Sequence, residues 1–166
     1  MSAVTIRKVA NRLERMVRAG GDGIKARKAL TDAEKNLATI EESCLRELDL
    51  QLGPIIAFLD QAPEVRPSPE SLAALIYHAD RALTACGALN KPKLAQTLLI
   101  LSAMADALGQ SDYWPQGALD PAINLISLFR VRDVSDKDAA SLLSHLELCL
   151  NQYVQRIQGG TTTVQP

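Results

Sequence analysis

Residues 30–59, LTDAEKNLATIEESCLRELDLQLGPIIAFL, decide the fold class. Leu30, Ala33, Leu37, Ile40, Cys44, Leu48, Leu52, Ile55 and Leu59 recur at steps of three or four without interruption. That period lines one face of an α-helix, whereas a strand would alternate every second residue. Thr31 and Glu34 have capping-box spacing, so the regular helix is expected to begin there. Pro54 removes one backbone hydrogen bond and crowds the carbonyl four residues back. Because the apolar phase survives across it, a kink near Pro54 is expected rather than a break. The stripe reads as intramolecular core, or else as a dimer seam or a groove for a partner helix.

Working outward, residues 61–70, QAPEVRPSPE, carry three prolines in seven positions and read as an extended linker. Beyond it four helices are expected. Ser68 caps the first, with Pro69 at its opening position and Leu72, Leu75, Ile76, Ala79, Leu83 and Cys86 as its buried stripe. Asn90 is read as the cap of a second helix ending near Gly109, Asp120-Pro121 opens a shorter third, and Ser135 caps the last. Toward the N-terminus, Ile6, Val9, Leu13 and Met16 share one helical face, and Gly20, Gly21 and Gly23 end that helix. The expected organisation is all-α: a helical bundle with a long N-terminal helix packed on a four-helix C-terminal region. Residues 1–61 hold the basic helix and the long kinked helix, 62–67 the linker, 68–158 the C-terminal bundle and 159–166 a disordered tail.

Composition agrees. At 166 residues the chain is about one domain long, and 47% apolar against 22% charged residues place it among globular proteins. With only 4% aromatics, aliphatic side chains must fill the core, which suits helix-on-helix packing better than a β-sandwich. Cys44, Cys86 and Cys149 are odd in number and far apart, and read as free thiols in a reducing compartment. Neither a signal peptide nor a membrane span is evident, so a cytoplasmic location is expected.

The net charge of −1 conceals an asymmetry. Residues 1–28 hold eight bases against two acids, while the remainder holds ten bases against seventeen acids. Lys8, Arg12 and Arg15 fall away from the apolar face of the first helix. Such an arm suits an acidic protein partner, and it can equally fold back on its own acidic body. It lies at the terminus and lacks aromatics for base stacking, so nucleic acid ranks below a protein partner.

Chemical signatures are sparse. The sequence has no glycine-rich phosphate loop, no nucleophile elbow and no paired His or Cys at ligand spacing. No enzyme, cofactor or metal is expected, and a phosphocarrier is the furthest the residues reach. The one arrangement that bears chemistry is His78 in LAALIYHADRALTACGAL. At about 100° per residue its row contains Ala74, Ala82 and Ala85, an array of small neighbours over which a partner could close. Arg81, three residues on, is within reach of the same face. An imidazole neutral near pH 7 can attack a phospho-aspartate, and a nearby cation offsets the charge on the phosphoryl group.

Around His78 the stretch resembles a degenerate histidine phosphotransfer motif, in which a helical His is followed by Lys and Gly at the third and fourth residues beyond it; here these are Arg81 and Ala82. Separately, the short basic helix, the glycine turn and the following ALTDAEKNLATIEESCLRELD are similar to small accessory proteins of alphaproteobacterial chemotaxis (the CheE type). Both resemblances imply a place in two-component signalling. They imply His78 as phosphoacceptor, Arg81 as its charge partner, and Ala74, Ala82, Ala85, Lys8, Arg12 and Arg15 as contacts for a response-regulator-like partner. A non-enzymatic interaction module is the first expectation, a phosphorelay intermediate the second, and a structural or DNA-associated helical protein the third. A second copy of the chain is a further candidate partner.

Overall fold

The computed structural model describes residues 26–60 and 66–160. Among them the protein is all-α: α1 (Ala26–Ala57), α2 (Pro69–Ala88), α3 (Pro92–Gly109), α4 (Asp120–Val131) and α5 (Asp136–Gly160), with a 3-10 turn at Phe58–Asp60 and no strand. The chain divides into two compact units, Met1–Ile40 and Glu41–Pro166.

In the first unit, the described residues of α1 carry their stripe in the open. Leu30 and Leu37 are each 64% exposed and Ile40 is 55% exposed. The expectation that the whole stripe from Leu30 to Leu59 is core is therefore corrected for its first half. Helix α1 also begins at Ala26, so Thr31 lies inside the helix rather than capping it.

In the second unit the same stripe turns into core. Leu48, Leu52 and Ile55 are at most 3% exposed and join one hydrophobic cluster with α2, α3, α4 and α5. The proline-rich stretch consequently does not separate one core from another. Pro54 lies within α1, which continues to Ala57. Gly53 and Pro54 are both exposed, where water can meet the carbonyl of Leu50 that proline leaves without a donor.

Helix α3 is central, packing against α2, α4 and α5. Its high apolar content follows from that position, because a helix contacted on several sides has no wide polar face. Leu98, Leu101, Met104 and Leu108 are almost wholly enclosed. Thr97 is the polar exception, and its hydroxyl donates to the carbonyl of Lys93 at 2.9 Å. Burial also pushes the Cys86 thiol up to about 11, which suppresses its thiolate.

The helix ends follow capping chemistry with one correction. Ser68 accepts from the Ser71 N–H at 3.2 Å, and Ser135 from the Asp138 N–H at 3.2 Å. The N-cap of α3 is Lys91, without a side-chain cap, rather than Asn90; Asn90 takes a left-handed turn conformation at φ 51°. At the other end of α3, Arg66 donates to the carbonyl of Gly109 at 3.1 Å, satisfying an orphan acceptor there.

Candidate functional site

His78 lies midway along α2, half-buried. Its Nδ1 is 2.7 Å from Oε1 of Gln51 on α1. Gln51 is buried, and its Nε2 donates to Oε1 of Glu47, one turn earlier, at 3.0 Å. The same carboxylate oxygen accepts from Arg81 at 2.7 Å. A four-residue chain, Arg81–Glu47–Gln51–His78, thus bridges α1 and α2.

The chain has a direction. The Glu47 carboxylate only accepts, so it takes the Gln51 amide N–H and turns the Gln51 carbonyl oxygen toward His78. That oxygen also only accepts, so Nδ1 of His78 carries a proton, and in the neutral ring Nε2 then carries the lone pair. Among the described residues Nε2 has no hydrogen-bond partner, yet no buried polar side-chain atom is left unsatisfied. Nε2 therefore reaches solvent. The Arg81 and Gln51 hydrogen bonds hold the Glu47 carboxyl below its usual range. The linkage follows in sign: a depressed folded-state pKa stabilises the fold above the ordinary carboxylate range and stops doing so as pH falls through the folded value. The chain is complete at neutral pH and comes apart in acid. In 15N spectra at neutral pH, His78 should show the Nδ1–H form, and Gln51→Leu should return it to a mixture of tautomers. A ring already mixed in the unsubstituted protein contradicts this assignment.

The other residues singled out in the sequence divide. Arg81 is committed to Glu47, so it reaches Nε2 only indirectly, as the anchor of the chain, and not as a free cation for a phosphoryl group. Ala74 is exposed beside the His78 turn. Ala82 is 0% and Ala85 5% exposed, which corrects their placement on an open docking face: α2 turns them toward the core. Ala85 contributes to the floor of a cleft of about 390 Å³ between α1 and α2, whose rim includes Glu47, Arg81 and Thr84. Lys8, Arg12 and Arg15 lie outside the described residues.

Other concave surfaces lie away from His78. His145 sits in an apolar groove of about 320 Å³ between α4 and α5, beside Leu125, Leu142 and Cys149, with no cation in its lining. A cleft of about 450 Å³ between Asn90–Leu94 and Phe129–Val134 gathers Lys91, Lys93, Arg130 and Arg132, but Lys93 is paired with Asp136 and Arg130 with Asp49. Among the described residues no group of three or more His, Cys, Asp or Glu could hold a metal ion, and no helix is long and apolar enough to cross a membrane.

Gln51 and Glu47 were not legible as site residues. They lie 27 and 34 positions from their partners, and pairing them needs the register between two helices. The available hint was a Glu and a Gln four apart beside the Leu48–Leu52 stripe, a spacing that alone signals only a solvated helix pair. Comparison with protein-family models, with curated proteins and with solved structures returns no match to this chain.

Proposed function

We propose that this chain is a non-enzymatic interaction module of bacterial two-component signalling, with chemotaxis as its setting, that docks a receiver-like partner on the His78 face of α2. The observation that carries this reading is the Arg81–Glu47–Gln51–His78 chain. It spends a buried amide on holding one half-exposed imidazole in a single tautomer, with a basic nitrogen at the surface. Ala74, one turn before His78, is exposed, and the exposed Tyr77 ring stands edge-on to the imidazole at 5.5 Å. The partner is a protein bearing an acidic, phosphorylatable carboxylate, and the setting is cytoplasmic. Nucleic acid ranks below it.

The fixed tautomer favours a second reading, in which His78 itself takes the phosphoryl group. Its Nε2 lone pair would attack the phosphorus of the partner's acyl phosphate. The N–P bond forms as the P–O bond to the aspartyl carboxylate breaks, and the carboxylate leaves with that electron pair. The Nδ1 proton stays on the ring, shared with Gln51, and offsets the transferred charge.

A panel of radiolabelled, phosphorylated kinases and receiver domains separates the readings. The interaction module binds a receiver and acquires no label. Acid-labile label that appears on the protein and is lost in His78→Gln establishes the relay. Binding to random DNA with a steep salt dependence, and to no receiver, rejects both.

A further inference from the structure

Beyond residue 28 acids outnumber bases seventeen to ten, yet four of those ten bases, Lys91, Lys93, Arg130 and Arg132, line one cleft of about 450 Å³. Scattered evenly, the same charges would make a surface concavity negative. The four differ in what holds them. Lys93 donates to the carbonyl of Val134 and pairs with Asp136 at 2.8 Å, while Arg130 pairs with Asp49 at 2.8 Å. These two brace the walls. Lys91 and Arg132 form no ion pair among the described residues. They stand at the N-cap of α3 and the C-cap of α4, so two helices present them to the same cleft. The first turn of α3 carries no acid, so it adds to the positive potential there. Asp133 is the one carboxylate in the lining. The rest of the wall is largely apolar: Leu94 and Phe129 are buried, and Val131 is 79% exposed. This volume falls within the ~300–1,000 Å³ of small-molecule sites, where an apolar lining carries a few charged groups.

We propose that this cleft binds a phosphate monoester of mononucleotide size, its phosphate held between Lys91 and Arg132 and its remainder against the apolar wall. A phosphate monoester carries close to two negative charges at neutral pH, which matches two unpaired cations; a lone carboxylate would leave one of them unanswered. Arg132 offers a planar fork to two phosphate oxygens, and Lys91 a mobile point charge to another. The apolar wall favours an ester over inorganic phosphate, which has nothing to set against Val131 and Phe129. Lys93 and Arg130 already have carboxylate partners, so they shape the site and contribute less free charge. The site goes beyond the docking proposed at His78 and does not depend on it.

Calorimetric titration of the full chain with adenosine and guanosine 5′-monophosphates tests the proposal, with adenosine and inorganic phosphate alongside. At least one monophosphate should saturate a single site and bind at least tenfold tighter than adenosine or inorganic phosphate. Lys91→Gln with Arg132→Gln should weaken that binding at least tenfold. Lys35→Gln with Arg46→Gln removes the same charge outside the lining and should change it less than twofold. Asp133→Asn should tighten it. Amide 15N spectra give a readout that needs no variant: on titration the signals of Lys93, Leu94 and Arg132 should move while those of Tyr77 and His78 stay. Failure of both monophosphates to saturate, inorganic phosphate binding as tightly, equal losses in the two double variants, or shifts confined to other residues would each overturn the proposal. Phosphatidate carries the same headgroup chemistry. Uptake by vesicles of equal parts phosphatidylcholine and phosphatidate, without binding of a soluble ester, also overturns it and assigns the cations to a lipid surface. Receiver binding is scored separately and bears only on the His78 reading.

Discussion

Leu52→Ala is expected to lower the stability of the protein by about 2–5 kcal/mol, the cost of removing a fully enclosed leucine and leaving a cavity. Leu52 is 0% exposed, between Leu48 and Ile55 in the portion of α1 that shares the core with α2 to α5. Two residues earlier on the same helix, Leu50 is 66% exposed, and Leu50→Ala should stay within about 0.5 kcal/mol of the parent. Chemical denaturation of the pair measures both. A similar small loss from each would mean that the second half of α1 does not belong to the core. The comparison bears on the site too, because Leu52 follows Gln51 directly. If α1 loosens there, the Gln51 amide loses its position against His78, and the Nδ1–H preference should weaken in proportion.

The helical class, the four later helices and two of their caps were readable because each depends on residues close in sequence. Ser68 and Ser135 satisfy N–H groups three residues on, and leucines three or four apart share a face wherever the helix packs. What could not be read depends on which neighbour arrives. Leu37 and Leu52 occupy the same stripe, yet one is open and the other enclosed. Nothing local to either residue says so. Asn90 suits both a helix cap and a left-handed turn, and Pro92 decides between them by sitting at the start of α3, which moves the cap to Lys91. At the site, His78 was findable as a lone imidazole among small residues. Its meaning changed with partners from a different helix: Glu47 captured Arg81, and Gln51 fixed the ring.

Ala82→Leu is expected to destabilise the protein by about 1–3 kcal/mol, because Ala82 is 0% exposed and a leucine there would have to displace the core side chains packed around it. A docking face made of both Ala74 and Ala82 needs room beside each of them for a partner to approach. Here the room is filled from within. Leu75, Ala79, Ala82 and Cys86 are all buried, a row in which small side chains let α2 lie close to its neighbours in the bundle. Ala74→Leu supplies the contrast, since Ala74 is exposed in the turn that precedes His78. It should leave stability within about 0.5 kcal/mol and instead lower receiver binding, by obstructing the approach to Nε2. The two substitutions therefore exchange their effects relative to a docking face made of both alanines. Thermal melts and receiver titrations on the same preparations decide the matter. Should Ala82→Leu melt like the parent while abolishing receiver binding, the docking surface extends to the side of α2 assigned here to the core, and the burial of Ala82 is the premise that fails.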